Sequence, residues 1–181
     1  GPSARATIVE SMRVGLHVNE RDPAKVKIRD DQLRAMQAAK ADRTLEPKLI
    51  AFRVPGFEEG FVASGTSGAG DAFPQAKVRG EREGPFDDVA GRGFIILARG
   101  GDPLAALSDG ERDFWKSLGG KVVKLGDGGF ADSEGRYGQL MDEYKSDIIV
   151  KRPDFYIFGT CRNAQGLPAL LGELRRQLHA A

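Results

Sequence analysis

Three stretches carry residue types that could do chemistry. The first is Gly65-Thr66-Ser67-Gly68-Ala69-Gly70-Asp71, running on into Ala72-Phe73-Pro74-Gln75. Bare backbone N–H groups in such a run can cradle an anion, and the adjacent Asp71 carboxylate could act as a base. The second is Arg99-Gly100-Gly101-Asp102-Pro103, a short way ahead of Ser108. There a guanidinium and open backbone amides could hold a carboxylate or phosphate. The third is Cys161, the single cysteine of the 181 residues. One thiol excludes an internal disulfide and a CxxC pair, and it cannot complete a dithiol cycle. His17 and His179 are too few for a His-rich metal site. None of these residues is assigned to catalysis, cofactor binding or a metal.

The glycine run admits three readings. Gly68-Ala69-Gly70-Asp71-Ala72-Phe73 resembles the signature of the ribokinase-like sugar kinases, where glycine amides form an anion hole and the Asp is the base. In those kinases the motif lies late in a longer chain, behind a large sheet. Here 64 residues precede Gly65 and they form no βαβ series. A dinucleotide loop needs a strand before it and a helix after it, and Pro74 blocks the helix. The favoured reading is a flexible linker over residues 64–72, with an anion site at Gly65–Asp71 as the alternative. A linker predicts that proteolysis cuts first between Ala63 and Asp71. At the Arg99–Pro103 turn the competing roles are an anion site and an Asp-paired or solvated turn arginine, of which the second is favoured.

The elements around these stretches follow from spacing. The chain opens Gly1-Pro2-Ser3, which reads as the scar of a removed tag, and the helix behind it begins without a start signal, as in a piece of something longer. Ile8, Met12 and Leu16 share one helical face. A second helix is predicted from Ala24 to Lys40, with Asp22 as N-cap and Pro23 as first helical residue. From Ala41 to Ala63 the chain reads as an irregular strap, whose Leu49, Ile50, Phe52, Phe57 and Phe61 call for a surface to press on. Beyond the linker come an edge strand at Phe73–Val78, a buried strand at Gly93–Ala98, a helix started by Ser108 with Glu111 three residues on, and a strand at Lys121–Leu125. A helix over Arg136–Lys145, a hairpin of Asp147–Val150 with Phe155–Phe158, and a closing helix striped by Leu167, Leu170, Leu171, Leu174 and Leu178 complete the order.

That order, β-α-β-α-β-β-α, is α/β and thioredoxin-like: a mixed sheet sandwiched by helices, preceded by a helical segment and a strap. The expected division is 1–63 for helices and strap, 64–72 for the linker and 73–181 for the thioredoxin-like domain. The redox chemistry of that fold is missing. Arg99-Gly100-Gly101-Asp102-Pro103-Leu104 stands where the thiol pair belongs, and Lys145-Ser146 where a proline usually precedes the third strand. The formal charge of +1, from 27 Lys+Arg against 26 Asp+Glu, offers no electrostatic case for nucleic acid or an acidic membrane. No apolar run approaches the ~18 residues of a membrane span. The single cysteine fits a reducing cytoplasm.

Phe73-Pro74-Gln75-Ala76-Lys77-Val78, the long run from Asp87 to Leu125 and the run from Ser146 to Gly159 together resemble the C-terminal part of FAD-dependent aromatic monooxygenases. Among these the 3-(3-hydroxyphenyl)propionate hydroxylases are the most similar. The specific points are Asp102-Pro103-Leu104 with Leu107-Ser108-Asp109, Trp115 with Leu118-Gly119, and Arg152-Pro153-Asp154. The stretches Ala4–Met12 and Lys25–Arg34 are similar to helices that close the flavin and substrate portion in that family. The resemblance implies a parent enzyme that uses FAD and NAD(P)H to hydroxylate a phenolic ring. It implies that this chain is a non-catalytic packing or subunit-contact piece, inactive alone, whose partners are the flavin portion or a second copy. Gly70-Asp71 does not match the family's flavin-contacting Gly-Asp pair, which lies upstream between a strand and a helix. The resemblance therefore transfers no catalytic or flavin-binding residue. The other reading is a stand-alone, redox-inactive thioredoxin-like binding module with a ligand site at Gly65–Asp71 or Arg99–Pro103.

Overall fold

The computed structural model describes residues 2–41 and 56–178. Two compact units divide the chain, Gly1–Pro55 and Gly56–Ala181. The first contains α1 (Pro2–Val18) and α2 (Pro23–Ala41). Asp22 caps α2 as its sequence predicts: its Oδ1 accepts from the Ala24 amide at 2.9 Å and its carbonyl from Val26. Asn19 closes α1 by donating to the Gly15 carbonyl at 2.8 Å. Among the side chains described in this unit none is buried. Met12 stands 62% exposed and Leu16 74%, so the apolar stripe of α1 faces no core of its own. The strap residues Leu49, Ile50 and Phe52, like His179, fall outside the described residues.

The second unit holds two sheets. The larger is built from β3 (Ile95–Arg99), β4 (Lys121–Leu125), β6 (Ile148–Lys151) and β7 (Ile157–Cys161), in the order β4-β3-β6-β7. β3 and β4 run parallel, joined by a crossover through a helix, and β3–β6 and β6–β7 are antiparallel. This is the thioredoxin-like order. The smaller sheet, β2-β1-β5, joins β1 (Lys77–Arg79), β2 (Glu83–Pro85) and β5 (Ala131–Asp132). A short helix α3 (Phe86–Val89) follows β2.

Helices cover both faces of the larger sheet. On one, α5 (Arg136–Tyr144) packs Tyr137, Leu140 and Met141 with Ile95, Leu97, Ile149, Phe73 and Phe86. On the other, α4 (Asp109–Ser117) and α6 (Leu167–Gln177) bring Phe114, Trp115 and Leu170, Leu171, Leu174 against Ile96, Val150 and Phe158. α4 starts as predicted: Glu111 Oε2 accepts from both the Ser108 amide and its hydroxyl at 2.7 Å, which holds the Glu111 carboxyl below its ordinary pKa. β3 and β6 are buried throughout or nearly so, which explains their unbroken apolar runs.

Residues 64–72, expected to be a linker, are instead seated on the second unit. The boundary between units falls at Pro55/Gly56, and the stretch over residues 62–73 runs along β7. The Ala63 amide donates to the Phe158 carbonyl, Gly70 to Ile157, Ile157 to Asp71 and Phe73 to Phe155, all at 2.7–2.9 Å. β7 is the last strand of its sheet, and this segment closes an edge that would otherwise be exposed. The predicted edge strand at Phe73–Val78 survives only as β1, and the β7 strand starts at Ile157 because Phe155 takes a left-handed backbone, φ 67°.

Candidate functional site

The glycines from Gly65 to Gly70 serve close approach of backbone and ring. Gly70, at φ 81°, lies so near Phe57 that a Cβ would sit 1.9 Å from the Phe57 carbonyl oxygen. A Cβ on Gly68 would enter the Tyr144 ring at 2.5 Å. The amides of Ala69, Gly70 and Asp71 are bonded to Thr66, Ile157 and Gly68 carbonyls, so they form no open anion cradle. Asp71 accepts a 2.7 Å hydrogen bond from the Tyr144 hydroxyl, which ties the run to α5. The carboxylate that could have been a base is thus a structural acceptor.

At the Arg99 turn the guanidinium is answered twice. Nε and Nη2 donate to Asp147 Oδ1 at 3.0 and 2.8 Å, and Nη1 donates to Asp142 Oδ1 at 2.6 Å. These bonds raise the Arg99 pKa above its ordinary value. A cleft of about 230 Å³ opens beside it, lined by Gly100–Pro103, Asp147 and Asn163–Gln165. With Asp102 and Asp147 both on its wall, one cation faces two carboxylates, which does not favour an anion. The structure bears out the Asp-paired role.

Cys161 ends β7 and is half-buried. Burial pushes its thiol up to about 11. It therefore stays protonated at neutral pH, unlike a nucleophilic thiol. At pH 8 it should hold about a hundredfold less thiolate than a free cysteine, and alkylation by iodoacetamide should gain about tenfold per pH unit up to pH 10. Alkylation at pH 8 as fast as that of free cysteine would contradict this. Among the described residues no group of three His, Cys, Asp or Glu could hold a metal, and no helix is long and apolar enough to cross a membrane.

One feature escaped the sequence reading. Lys151, fully buried at the end of β6, places Nζ 3.3 Å from Oδ1 of Asp87 in α3, itself 8% exposed. The Phe73 and Phe155 rings stand 5.8 and 5.1 Å from the ammonium. The signal was available in the alternation: Ile149 points into the core, so Lys151 two residues on shares its face.

Against known proteins, a family model described as "HcaD C-terminal domain" matches residues 70–177. The "Probable NADH-specific resorcinol 4-hydroxylase" of Rhodococcus jostii (strain RHA1) is 31% identical over 180 residues, covering 96% of this chain and 32% of that protein. A 3-(3-hydroxy-phenyl)propionate/3-hydroxycinnamic acid hydroxylase of Mycolicibacterium vanbaalenii is 30% identical over 200 residues, covering 97% of this chain and 34% of that one. The chain thus spans about a third of the length of these curated relatives. Among solved structures, the flavin-dependent monooxygenase PieE in complex with FAD and substrate superposes with a TM-score of 0.53 at 22% identity, over 93% of this chain and 32% of PieE, a likeness of fold. With the strand order of the larger sheet and a family match over most of the second unit, the chain belongs to the HcaD C-terminal domain family.

Proposed function

We propose that this chain is the non-catalytic C-terminal portion of an FAD-dependent, NAD(P)H-using aromatic-ring hydroxylase acting on a phenolic substrate of the 3-(3-hydroxyphenyl)propionate or resorcinol type. Its role is packing and subunit contact, in a reducing compartment such as the cytoplasm. The observation that carries this reading is the helical unit: two helices of 17 and 19 residues without a buried side chain among those described. Helices of that length draw their stability from an apolar face packed on something else. Ile8, Met12 and Leu16 supply such a face, and the relatives are about three times the length of this chain. The helical unit is then the end of the flavin and substrate portion, and the second unit the thioredoxin-like domain.

Among the described residues, the two stretches that could hold an anion do not fit the flavin itself. A pyrophosphate needs open amides or an uncompensated cation. The glycine-run amides named above are bonded within the fold, and Arg99 is matched by two carboxylates. No step of the hydroxylation is therefore placed on this chain. Titrating the purified 181-residue chain with FAD should leave flavin fluorescence unquenched, whereas a longer polypeptide carrying the flavin portion should purify yellow. Saturable quenching at micromolar FAD by the chain alone would overturn the non-catalytic reading.

A further inference from the structure

We propose that the hairpin end of the larger sheet, where Phe57, Phe155 and Tyr156 stand around Arg152, is the surface on which the remaining two-thirds of the hydroxylase seats the thioredoxin-like unit. This rests on the reading above.

Among the described residues of the second unit, Phe57 and Phe155 are the exposed rings, at 39% and 44%. Both lie at one end of it. The Phe57 ring contacts Tyr156 at 4.5 Å, and Phe155 precedes Tyr156 in the chain. Phe155 is also held at φ 67°, a backbone region that suits Gly or Asn and not a bulky aromatic. One side of that ring stands 5.1 Å from the buried Lys151 ammonium, but 44% of the residue remains exposed in an unfavourable backbone, and such outliers gather at functional contacts.

The chemistry of the covering surface follows from Arg152. Its guanidinium lies 5.1 Å from the Phe61 ring and 5.9 Å from Tyr156, donates to the Phe61 carbonyl, and pairs with Asp154. Only 12% of the side chain is exposed. Its charge is answered locally, so the patch calls for an apolar partner and not an acidic one.

Size decides between a tethered partner and a second copy. The two residues leave about 80 Å² each exposed, at 39% and 44% of the 150–250 Å² that an aromatic carries. A free dimer needs about 800 Å² per partner. A contact this small holds when the partner is covalently linked, because tethering raises its effective concentration to about the millimolar range. Phe57 is the second residue of the unit, so the tether enters at the patch itself.

The test uses Phe155→Asn, which suits the left-handed backbone, and Phe57→Ser as an independent variant. Each is made in the intact flavoprotein and in the 181-residue chain. Both rings also contact residues of the unit itself, Phe155 to Lys151 and Phe57 to Tyr156, so the temperature of flavin release in the intact protein should fall by at least about 5 °C more than the unfolding midpoint of the chain does. Unchanged flavin release for both variants overturns the proposal and leaves the flavin reading standing. Equal losses in chain and intact protein overturn it in favour of an internal structural role. A chain that sediments as a dimer and is split by either variant overturns it in favour of a second copy. An intact polypeptide that binds no flavin removes the underlying reading and the proposal with it.

Discussion

Replacing Asp87 by alanine should lower the stability of the second unit by about 3–5 kcal/mol, and Lys151→Met should do the same. The two groups are 3.3 Å apart, and no other hydrogen-bond partner reaches Asp87 Oδ1, Oδ2 or Lys151 Nζ. Each therefore depends on the other to offset the cost of leaving water. Removing one leaves the other as an unpaired charge within a wall of Phe73 and Phe155. The double variant Asp87→Leu with Lys151→Met should regain most of the loss, because a well-packed apolar pair of similar volume replaces a buried ion pair at little cost. Urea unfolding followed through Trp115, 3% exposed in the opposite core, reports the result. Single variants within about 0.5 kcal/mol of the parent chain would mean that the pair is wet and that α3 is not stapled to β6.

Gly70→Ala should cost about 3 kcal/mol or more, while Gly65→Ala should cost only about 1. Both glycines have left-handed backbones, φ 81° and 69°, so both variants carry the conformational cost. They differ in space. Nothing lies within 4 Å of a Cβ on Gly65, whereas a Cβ on Gly70 meets the Phe57 carbonyl oxygen at 1.9 Å. That clash would break the Phe57 amide to Gly70 carbonyl bond and the Gly70 amide to Ile157 carbonyl bond together. A freely jointed linker would tolerate both changes alike, so equal and small effects in the two variants would restore the linker reading.

The local parts of the fold were legible in the sequence. Strand β4 spans Lys121–Leu125 as predicted, because a short apolar run between Gly119-Gly120 and Gly126 leaves no choice of register. The Asp22-Pro23 and Ser108–Glu111 starts and the α6 stripe of Leu167, Leu170, Leu171 and Leu174 are likewise contained within a few residues, whereas Leu178, expected in that stripe, lies past the helix end at 37% exposed. What the sequence did not reveal depends on distant partners. The small sheet pairs Val78 with Asp132, 54 residues on, across strands of two and three residues too short to show alternation. The glycine run has the composition of a linker, and only the exposed edge of β7 gives it a fixed seat. Lys151 looks like a surface residue until the register of β6 turns it inward.

Native-state hydrogen exchange on the 181-residue chain tests the account most directly, since it reports both units in one experiment. The amides of Ala63, Gly70 and Phe73 should be protected together with those of β3, β6 and β7, as one cooperative block. The amides of α1 and α2, whose apolar faces have no core, should exchange close to unstructured-peptide rates while the chain is monomeric. Strong protection of α1 and α2 in the monomer, or exchange of Gly70 at free-peptide rates, would contradict a chain made of one self-sufficient thioredoxin-like unit and a helical pair that waits for its partner.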